Sequence, residues 1–357
     1  MKNNGLKYAL MPLAWIYGFI VWLRNKLFDN GLLPVEEFDI PVISIGNIAV
    51  GGTGKTPHTE YLIRLLGKKH KIAVLSRGYK RRSYGFVLAD ENTSAESIGD
   101  EPFQIHRKFP EILVAVDANR RRGIRQLLSL PQDRRPEIIL LDDAFQHRYV
   151  KPSLSILLIA FEPDNSENCL LPAGRLREPV SGIIRADIVV TTKCPYPLPS
   201  SGAGRGICSA FRYKSLRPLF PTSNVKQKES LERLKNEGFS FLLVAGLANP
   251  KPMEDYLLQY TTDLHPIFYP DHHYFSEKDL KYISNEFDRI NNDKKLLITS
   301  EKDAARLVGN EFFPEKTKPF AFYLPLEVVF SLEDEQLFNL KIEQHVAEFK
   351  RNRNLAS

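Results

Sequence analysis

The sequence predicts an α/β protein, because short apolar runs rich in β-branched residues alternate with helix-forming stretches. The first series of runs comprises Pro41–Gly46, Lys71–Ser76, Ile112–Val116, Glu137–Leu141, Leu154–Ala160 and Asp187–Thr191. The second series comprises Phe239–Ala245, Pro266–Tyr269, Lys295–Thr299 and Phe320–Leu324. This alternation is typical of βαβ units, so we expect parallel strands covered by helices on both faces of the sheet.

The length and a break in this pattern predict more than one domain. The chain has 357 residues, and domains commonly have ~100–200. Between Cys208 and Lys228 the sequence has no clear period, which indicates an inter-domain connection. A helix is expected over Glu335–Arg351. The predicted parts are an N-terminal hydrophobic helix (residues 1–30), a larger domain (31–215) and a smaller α/β domain that carries the C-terminal helix (216–357).

Composition and charge narrow the possible functions. Hydrophobic residues make up 43% of the chain and charged residues 26%, which excludes a disordered or collagenous protein. The net charge of +6 suits an anionic ligand or an acidic membrane surface. We expect no nucleic-acid partner, since the basic residues form no recognisable binding module, and no feature indicates an obligate protein partner. The three cysteines form no C-x-x-C pair, which indicates a reducing, cytoplasmic setting.

The N-terminal segment carries an almost unbroken apolar run, Tyr8–Leu23, with basic residues on both sides. A helix of this length reaches ~24 Å, short of the ~30 Å hydrocarbon core of a bilayer. Trp15, Tyr17 and Trp22 favour a membrane interface, and the flanking cations would attract anionic lipids. We predict a membrane-associated helix that does not span the bilayer. A helix buried in the protein core is the alternative.

A glycine-rich loop follows the first predicted strand. Residues 49–56 read AVGGTGKT, which matches the pattern G-x-x-x-x-G-K-[ST] except for alanine at its first position. Glycines let backbone N–H groups approach phosphate oxygens, and the next helix adds its positive end. Lys55 is expected to reach the β- and γ-phosphates, and Thr56 to ligate Mg²⁺. The loop therefore predicts a P-loop NTPase-type sheet. The candidate nucleotide contacts are Gly51, Gly52, Thr53, Gly54, Lys55 and Thr56.

Two carboxylates follow another predicted strand. The apolar run Glu137–Leu141 leads directly into Asp142 and Asp143. In P-loop enzymes an acid at this position holds Mg²⁺, and in open parallel sheets ligands gather at the carboxyl ends of the strands. We therefore predict that Asp142 and Asp143 lie at the same site as the glycine-rich loop and bind Mg²⁺. A solvated acidic turn is the alternative.

Further motifs extend this pattern along most of the chain. They are GNIAVGGTGKTP (46–57), SRGY (76–79), GDEP (99–102), DDAFQH (142–147), LPAGRLRE (171–178), DHH (271–273) and EKD (301–303). In this order they resemble the tetraacyldisaccharide 4′-kinase family of lipid A biosynthesis. The resemblance implies that the chain transfers the γ-phosphoryl group of ATP to the 4′-hydroxyl of a tetraacyldisaccharide 1-phosphate, giving lipid IVA. It also implies a peripheral or monotopic enzyme at the cytoplasmic face of the inner membrane.

The same resemblance implies roles for individual residues. It makes Asp100 the candidate base, paired with His272 or its neighbour His273, and Lys55 joins them as a catalytic residue. Asp100 is also well placed in the sequence to cap a helix, which is its structural alternative. Glu101 is a further candidate Mg²⁺ ligand. The candidate substrate contacts are Arg77, Gln146, Arg177 and Glu178.

Two other classes of function stay open at this stage. One is a different membrane-associated P-loop NTPase, such as a GTPase or an ATP-dependent ligase. The other is a non-catalytic, nucleotide-gated membrane adaptor, in which the P-loop drives a conformational change. An adaptor needs the P-loop but neither Asp100 nor His272, so this pair of residues distinguishes a kinase from an adaptor.

Overall fold

The structure, a computed structural model, describes residues 4–161, 169–195, 198, 206–221 and 230–356. The α-helices in these ranges are α1 (Asn4–Asp29), α2 (Lys55–Leu66), α3 (Ala95–Ile98), α4 (Asp100–Lys108), α5 (Arg120–Leu128), α6 (Leu231–Asn236), α7 (Lys251–Leu257), α8 (Glu277–Arg289), α9 (Glu301–Val308) and α10 (Leu332–Ala356). The strands are β1 (Val42–Asn47), β2 (Ile72–Ser76), β3 (Val87–Leu88), β4 (Leu113–Val116), β5 (Ile138–Asp142), β6 (Leu154–Ala160), β7 (Ile188–Thr192), β8 (Ile207–Tyr213), β9 (Arg217–Pro218), β10 (Ser240–Ala245), β11 (Leu264–Phe268), β12 (Lys295–Ser300), β13 (Ala321–Leu324) and β14 (Leu326–Phe330). Every run of the two series predicted as strands overlaps one of these strands, and the α/β class is confirmed.

The larger sheet has nine strands within the described residues, in the order β14-β8-β7-β6-β1-β5-β2-β4-β3. The pairs from β8 across to β4 are parallel, and β3 is antiparallel to β4. Strands β1, β2 and β5 are buried at every residue, which explains their largely apolar sequences. Helix α5 packs on this sheet, where Ile124 and Leu127 join Leu75 and Leu141 in one apolar cluster.

The smaller sheet has the order β11-β10-β12-β13-β9 among the residues that the structure describes. Its strands are parallel except β9, which is antiparallel to β13. Successive residues of a strand face opposite sides of the sheet. Leu242 of β10 accordingly belongs to an apolar cluster with Phe287 of α8, whereas Leu243 joins a second cluster with Leu234 of α6 and Leu257 of α7. Helices therefore cover both faces of this sheet.

The chain divides into two compact units, whose bounds differ from the predicted ones. Unit 1 comprises residues 1–92, 105–211 and 328–357, and unit 2 comprises residues 93–104 and 212–327. The structure thus assigns residues 93–104 to the smaller unit and the C-terminal helix to the larger one. The helix α10 is held there by Tyr61, whose hydroxyl donates to Asn339 at 2.9 Å, and by the ion pair of Lys350 with Glu137 at 2.6 Å. Helical periodicity predicts that a helix forms but not which unit it packs on.

The chain passes from unit 1 to unit 2 between residues 211 and 212, within the stretch predicted as a connection, Cys208–Lys228, but part of that stretch is β-strand. Residues 207–213 form β8, which pairs in parallel with β7, and residues 217–218 form β9. Ser209 and Arg212 interrupt the apolar residues of β8, so no continuous apolar run marks it in the sequence. Residues 222–229 lie outside the described part.

Helix α1 has 26 residues, more than the predicted apolar run of Tyr8–Leu23. In the described part of the chain, no helix combines the length and the apolar character needed to cross a membrane. One side of α1 contacts unit 1: Ala14 and Phe28 are buried, and the Tyr17 hydroxyl donates to the carbonyl of Arg177 at 2.7 Å. The exposed side carries the apolar residues Leu13, Trp15, Ile16, Phe19, Ile20, Trp22 and Leu23. This exposure does not fit the alternative of a helix buried in the core.

Candidate active site

The glycine-rich loop of unit 1 joins β1 to α2 and requires glycine at two positions. Gly51 has φ +112° and Gly54 has φ +88°, both in the left-handed region that side chains disfavour. A Cβ added at Gly51 would lie 2.2 Å from Nη2 of Arg175, and one added at Gly54 would lie 2.2 Å from Cζ of Phe211. Gly54 is also the N-cap of α2, so Lys55 and Thr56 form the first turn of that helix. The backbone therefore has the form of a phosphate-binding loop.

Hydrogen bonds from neighbouring side chains fix the carbonyl groups of this loop. His58 Nδ1 donates to the carbonyl of Gly54 at 2.7 Å, and Thr192 Oγ1 donates to the carbonyl of Thr53 at 2.9 Å. The amide of Asn47 donates to Thr53 Oγ1 at 2.8 Å. Burial lowers the pKa of His58 to about 4, against the opposing effect of its hydrogen bond to Gly54. His58 is therefore neutral at physiological pH, and its hydrogen bond holds the carbonyl of Gly54 in place.

The two carboxylates at the end of β5 lie beside the loop. Asp142 ends β5 opposite Ile45 of β1, and its Oδ1 accepts a hydrogen bond from Thr59 of α2 at 3.3 Å. Asp143 has φ +48° and pairs with two cations of the candidate site. Lys55 Nζ lies 3.6 Å from Asp143 Oδ1, and Arg177 Nη1 donates to Oδ1 at 3.0 Å. The structure thus brings these predicted residues together.

The chemistry of the available donors suits Mg²⁺. Thr56 offers a hydroxyl oxygen, and Asp142 and Asp143 offer carboxylates, which are the hard ligands that Mg²⁺ prefers. No cluster of three His, Cys, Asp or Glu side chains that could hold a metal occurs among the described residues. Mg²⁺ commonly takes only one or two carboxylates and completes its shell with waters and substrate phosphates. Glu101, the fourth predicted ligand, belongs to unit 2.

Half-buried Gln146 and buried Glu178 form a polar cluster in unit 1. The amide of Gln146 donates to the carbonyl of Asn47 at 2.6 Å and to Glu178 Oε1 at 2.8 Å. The other oxygen of Glu178 accepts from Arg185. Because both oxygens of Glu178 are engaged, its position suits holding Gln146 beside β1. Arg77, the remaining predicted substrate contact, is exposed and directly follows β2.

Arg120 and His147 are two further functional candidates of unit 1. Arg120 is buried at the start of α5, and its Nη2 donates to the carbonyl of Asp142 at 3.4 Å. Burial lowers the pKa of Arg120 to about 10, although the charge of Asp142 opposes the shift. Burial, reinforced by the positive charge of Arg120, lowers the pKa of His147 to about 4. Arg122, two residues after Arg120, forms a bidentate ion pair with Asp117.

Asp100 and His272, far apart in the sequence, meet within unit 2. His272 Nδ1 lies 2.7 Å from Asp100 Oδ2, and since a carboxylate only accepts, Nδ1 carries the shared proton. Arg306 Nη2 donates to the same oxygen at 2.6 Å. Burial of Asp100 disfavours its charge, but the hydrogen bonds from His272 and Arg306 outweigh this and hold the pKa of the carboxyl well below its usual range. Asp100 is therefore ionised throughout the physiological range.

The two candidate histidines have different surroundings. His273 stacks on Tyr269 with ring centroids 4.4 Å apart, and its Nε2 lies 3.1 Å from Asp279 at the start of α8. His272, in contrast, has φ +61°, a strained conformation that is common at functional sites. Its Nε2 lies 3.0 Å from Nζ of Lys302, which also donates to Asp271. Glu101 Oε1 lies 3.8 Å from His272 Nε2.

Comparison with known proteins identifies the family of this chain. The family model for tetraacyldisaccharide-1-P 4′-kinase, LpxK, matches residues 6–347. The chain belongs to this family. It is 46% identical to a tetraacyldisaccharide 4′-kinase of Bacteroides thetaiotaomicron, over 96% of this chain and 94% of that protein. It is 45% identical to one of Flavobacterium johnsoniae, over 97% and 98%.

A solved structure of the LpxK family has the same fold. It is the "apo" form of LpxK from Aquifex aeolicus in complex with ATP, with a TM-score of 0.73 and 28% sequence identity. The match covers 96% of this chain and 99% of that one. The predicted family, parallel-sheet fold and enzyme class are therefore confirmed.

Three residues that contact predicted site residues have no role predicted from the sequence. Arg306 contacts Asp100, Lys302 contacts His272, and His58 contacts the P-loop. Lys302 lies in the EKD motif, which marks the segment without indicating what the lysine contacts. Arg306 and His58 lie one helical turn after recognised motifs. Spacing of three or four residues along a helix, read from Asp303 and Gly54, is the signal that could have found them.

Proposed function

We propose that this chain is an ATP-dependent kinase that transfers the γ-phosphoryl group to the 4′-hydroxyl of a tetraacyldisaccharide 1-phosphate, giving lipid IVA. The contact between Asp100 and His272 carries this proposal. A nucleotide-gated adaptor needs the P-loop but has no use for an ionised carboxylate held against a histidine. Membership of the 4′-kinase family and the ATP of the related Aquifex protein support the same function.

The residues of unit 1 suit binding and stabilising a triphosphate. The amides of residues 51–56 and the N-terminus of α2 would bind phosphate oxygens, and Lys55 would contact the β- and γ-phosphates. Thr56, Asp142 and Asp143 would hold Mg²⁺, which when bound neutralises charge on the phosphates. Arg177 is a candidate contact to the sugar phosphate, because a guanidinium matches phosphate geometry. Arg77 is exposed and would serve in the same way.

Asp100 is the proposed acceptor of the proton that the 4′-hydroxyl loses. Phosphoryl transfer has a loose transition state, so a carboxylate that positions the hydroxyl suffices and need not be strongly basic. This requirement fits Asp100, whose pKa lies below its usual range because of His272 and Arg306. His272 would orient the carboxylate through its Nδ1 proton. Glu101 remains a proposed Mg²⁺ contact, and Gln146 and Glu178 remain proposed substrate-side residues.

A transfer assay tests the proposal. Purified protein with Mg-ATP and the disaccharide 1-phosphate is expected to yield a product phosphorylated at the 4′ position, detected by mass spectrometry. Asp100→Ala should lower turnover by at least ~10²-fold, as loss of a positioned acid–base group does. Asp255→Ala, which removes an exposed carboxylate on α7 of the same unit, should leave turnover unchanged. Absence of product from the wild-type protein would refute the assignment.

We further propose that the chain works at the cytoplasmic face of the inner membrane, bound through α1. Trp15 and Phe19 are 69% and 60% exposed on the apolar side of this helix. Burying a large apolar side chain contributes about 2 kcal/mol, so several such residues would provide stable attachment. Indole rings favour the interface between lipid and water, and Lys7 and Lys26 lie near the ends of the helix, where they can meet anionic headgroups.

Vesicle co-sedimentation tests this attachment without disturbing the buried side of α1. Trp15→Ser combined with Phe19→Ser should weaken binding to vesicles of phosphatidylethanolamine and phosphatidylglycerol by ~10²-fold. Leu337→Ser combined with Leu340→Ser, on the exposed side of α10, is the matched control and should leave binding unchanged. Equal binding by both double variants would show that α1 does not attach the protein.

A further inference from the structure

Arg306 of α9 is a buried arginine that joins two carboxylates from different segments of unit 2. Its Nη1 donates to Asp303 Oδ1 at 2.9 Å, and its Nη2 donates to Asp100 Oδ2 at 2.6 Å. The side chain of Arg306 is only 7% exposed, and that of Asp303 is fully buried. A guanidinium presents its donors in a rigid, planar fork. The two carboxylates therefore fix both the position and the plane of the Arg306 head group.

Asp303 is itself held rigidly, so it can serve as a fixed support. Its Oδ2 accepts from Ser300 Oγ at 2.6 Å and from the backbone N–H of Gly246 at 2.9 Å. The N–H of Asp303 returns a hydrogen bond to Ser300 Oγ at 3.0 Å, which caps α9. A Cβ at position 246 would lie 2.9 Å from Asp303 Oδ1, so the glycine allows this close approach. The support is anchored to the ends of β10 and β12 through Gly246 and Ser300.

Arg306 and His272 meet at a single oxygen of Asp100. Both donate to Oδ2, and Arg306 Nη2 lies 3.3 Å from His272 Nδ1. The carboxylate can rotate about its bond to Cβ when only one donor holds it, whereas two donors from fixed directions set its plane. The direction of Oδ1, the other oxygen, then follows from the geometry of the carboxyl group.

We infer that Arg306, supported by Asp303, is a positioning residue that sets the orientation of Asp100 and of its hydrogen bond with His272. This inference rests on the proposed kinase function for its effect on turnover. Its effect on the contact between Asp100 and His272 is independent of that function. Arg306 acts through Asp100 and is not itself assigned a contact with substrate.

Kinetics of matched variants test the inference. Arg306→Gln should lower kcat by about 10²-fold, as displacement of a reacting group by about 1 Å does, and should leave KM for ATP within about twofold. Arg306→Lys keeps the positive charge but loses the planar, forked set of guanidinium donors. Its kcat should therefore lie between those of Arg306→Gln and the wild type. Arg289→Gln removes an exposed arginine that pairs with Glu286 three residues away in the same unit, and it should retain wild-type kcat.

A double variant separates the effect of Arg306 on the orientation of Asp100 from its effect on the stability of the fold. Arg306→Gln alone leaves Asp303 as a buried, unpaired carboxylate, and loss of stability could by itself lower activity. Asp303→Asn combined with Arg306→Gln removes both charges and leaves two amides able to bond each other. Its thermal midpoint should return toward that of the wild type, while kcat stays low. Recovery of kcat together with stability would overturn the inference.

A spectroscopic measurement tests the inference without any substrate. In protein with ¹⁵N-labelled histidine, the Nδ1 proton of His272 should give a resonance protected from exchange, assigned by its loss in His272→Asn. It should disappear in Arg306→Gln and persist in Arg289→Gln. An unchanged resonance in Arg306→Gln would overturn the inference. If the wild-type protein forms no phosphorylated lipid, the kinase proposal fails, and this resonance still decides the role of Arg306.

Discussion

The P-loop of unit 1 and the Asp100 cluster of unit 2 are built in opposite ways. The P-loop is contiguous in sequence and consists mainly of backbone, with Gly51 and Gly54 in conformations that favour glycine. The Asp100 cluster consists of charged side chains and combines Asp100, His272, Asp303 and Arg306, which come from three separate segments. Backbone conformation organises the first region, and ion pairing organises the second.

This difference determines how each region responds to substitution. A site made of backbone N–H groups is sensitive to added side-chain volume, because a Cβ at Gly54 meets Phe211. A site made of paired charges is sensitive to the loss of one partner, because the remaining charge is left buried. Steric changes should therefore disrupt the P-loop, and changes of charge should disrupt the Asp100 cluster.

The largest effect is expected from Asp100→Asn. This variant keeps the shape of the side chain but removes the charge that accepts from His272 and Arg306. We expect kcat to fall by ~10²–10⁴-fold, the usual contribution of a positioned acid–base group, with little change in KM for ATP. Steady-state kinetics with the lipid substrate measures both. A rise in KM for ATP without a change in kcat would place Asp100 in nucleotide binding instead.

Lys55→Ala should have the next largest effect and a different signature. Loss of the P-loop lysine removes a cation from the β- and γ-phosphates, so kcat/KM for ATP should fall by at least ~10²-fold. Lys55 also lies 3.6 Å from Asp143, and its loss should not alter the resonance of His272 in unit 2. Steady-state kinetics at varied ATP concentration and the same ¹⁵N spectrum check the two expectations. A shift of that resonance would show that the two regions are coupled.

The same contrast explains how much the sequence predicts. The P-loop and the acids after β5 are contiguous motifs attached to buried strands, so their positions follow from strand order. The choice between His272 and His273 needs the folded chain, because neighbouring residues with the same side chain differ only in the direction they face. The role of Arg306 depends on the approach of residues 93–104 to residues 212–327. Local periodicity carries no information about such pairings.

His58, which donates to the carbonyl of Gly54 in the P-loop, should have a moderate, pH-dependent effect on the free energy of unfolding. His58 has a pKa of about 4 in the folded protein, against 6.5 for a free histidine, chiefly because it is buried. Because the pKa of His58 is lower in the folded chain, the unfolded chain binds more protons below pH 6.5. The stability that the folded protein gains from neutral, buried His58 is therefore complete above pH 6.5 and is lost as the pH falls toward 4. We expect a loss of about 2 kcal/mol between about pH 7.5 and pH 5.

Urea unfolding at several pH values measures this contribution. His58→Asn should be less stable at neutral pH but should show a pH dependence flatter than that of the wild type. His265→Asn, which replaces an exposed histidine of unit 2, is the matched control and should keep the wild-type slope. Parallel slopes for wild type and His58→Asn would mean that His58 is not buried as a neutral ring.

The smallest effect on stability is expected from Gly52→Ala. Comparing it with Gly54→Ala shows whether each glycine is needed for folding or for ligand binding. Apart from its own chain neighbours, no atom of the described residues lies within 4 Å of a Cβ added at Gly52, whereas one added at Gly54 meets Phe211 in a left-handed backbone. Gly54→Ala should therefore cost ~1–2 kcal/mol from backbone conformation alone, with the steric contact adding to it. Gly52→Ala should change the free energy of unfolding by less than ~0.5 kcal/mol.

ATP affinity then distinguishes the two glycines. If backbone N–H groups near Gly52 bind phosphate, the added methyl group of Gly52→Ala must weaken ATP binding although it leaves folding intact. Isothermal titration with Mg-ATP and thermal unfolding on the same sample measure the two quantities. Weakened binding with unchanged stability would show that Gly52 is required by the ligand, whereas Gly54 is required by the fold. Unchanged binding would mean that the phosphates contact the loop elsewhere and that glycine is needed at positions 51 and 54, where the backbone is left-handed, but not at position 52.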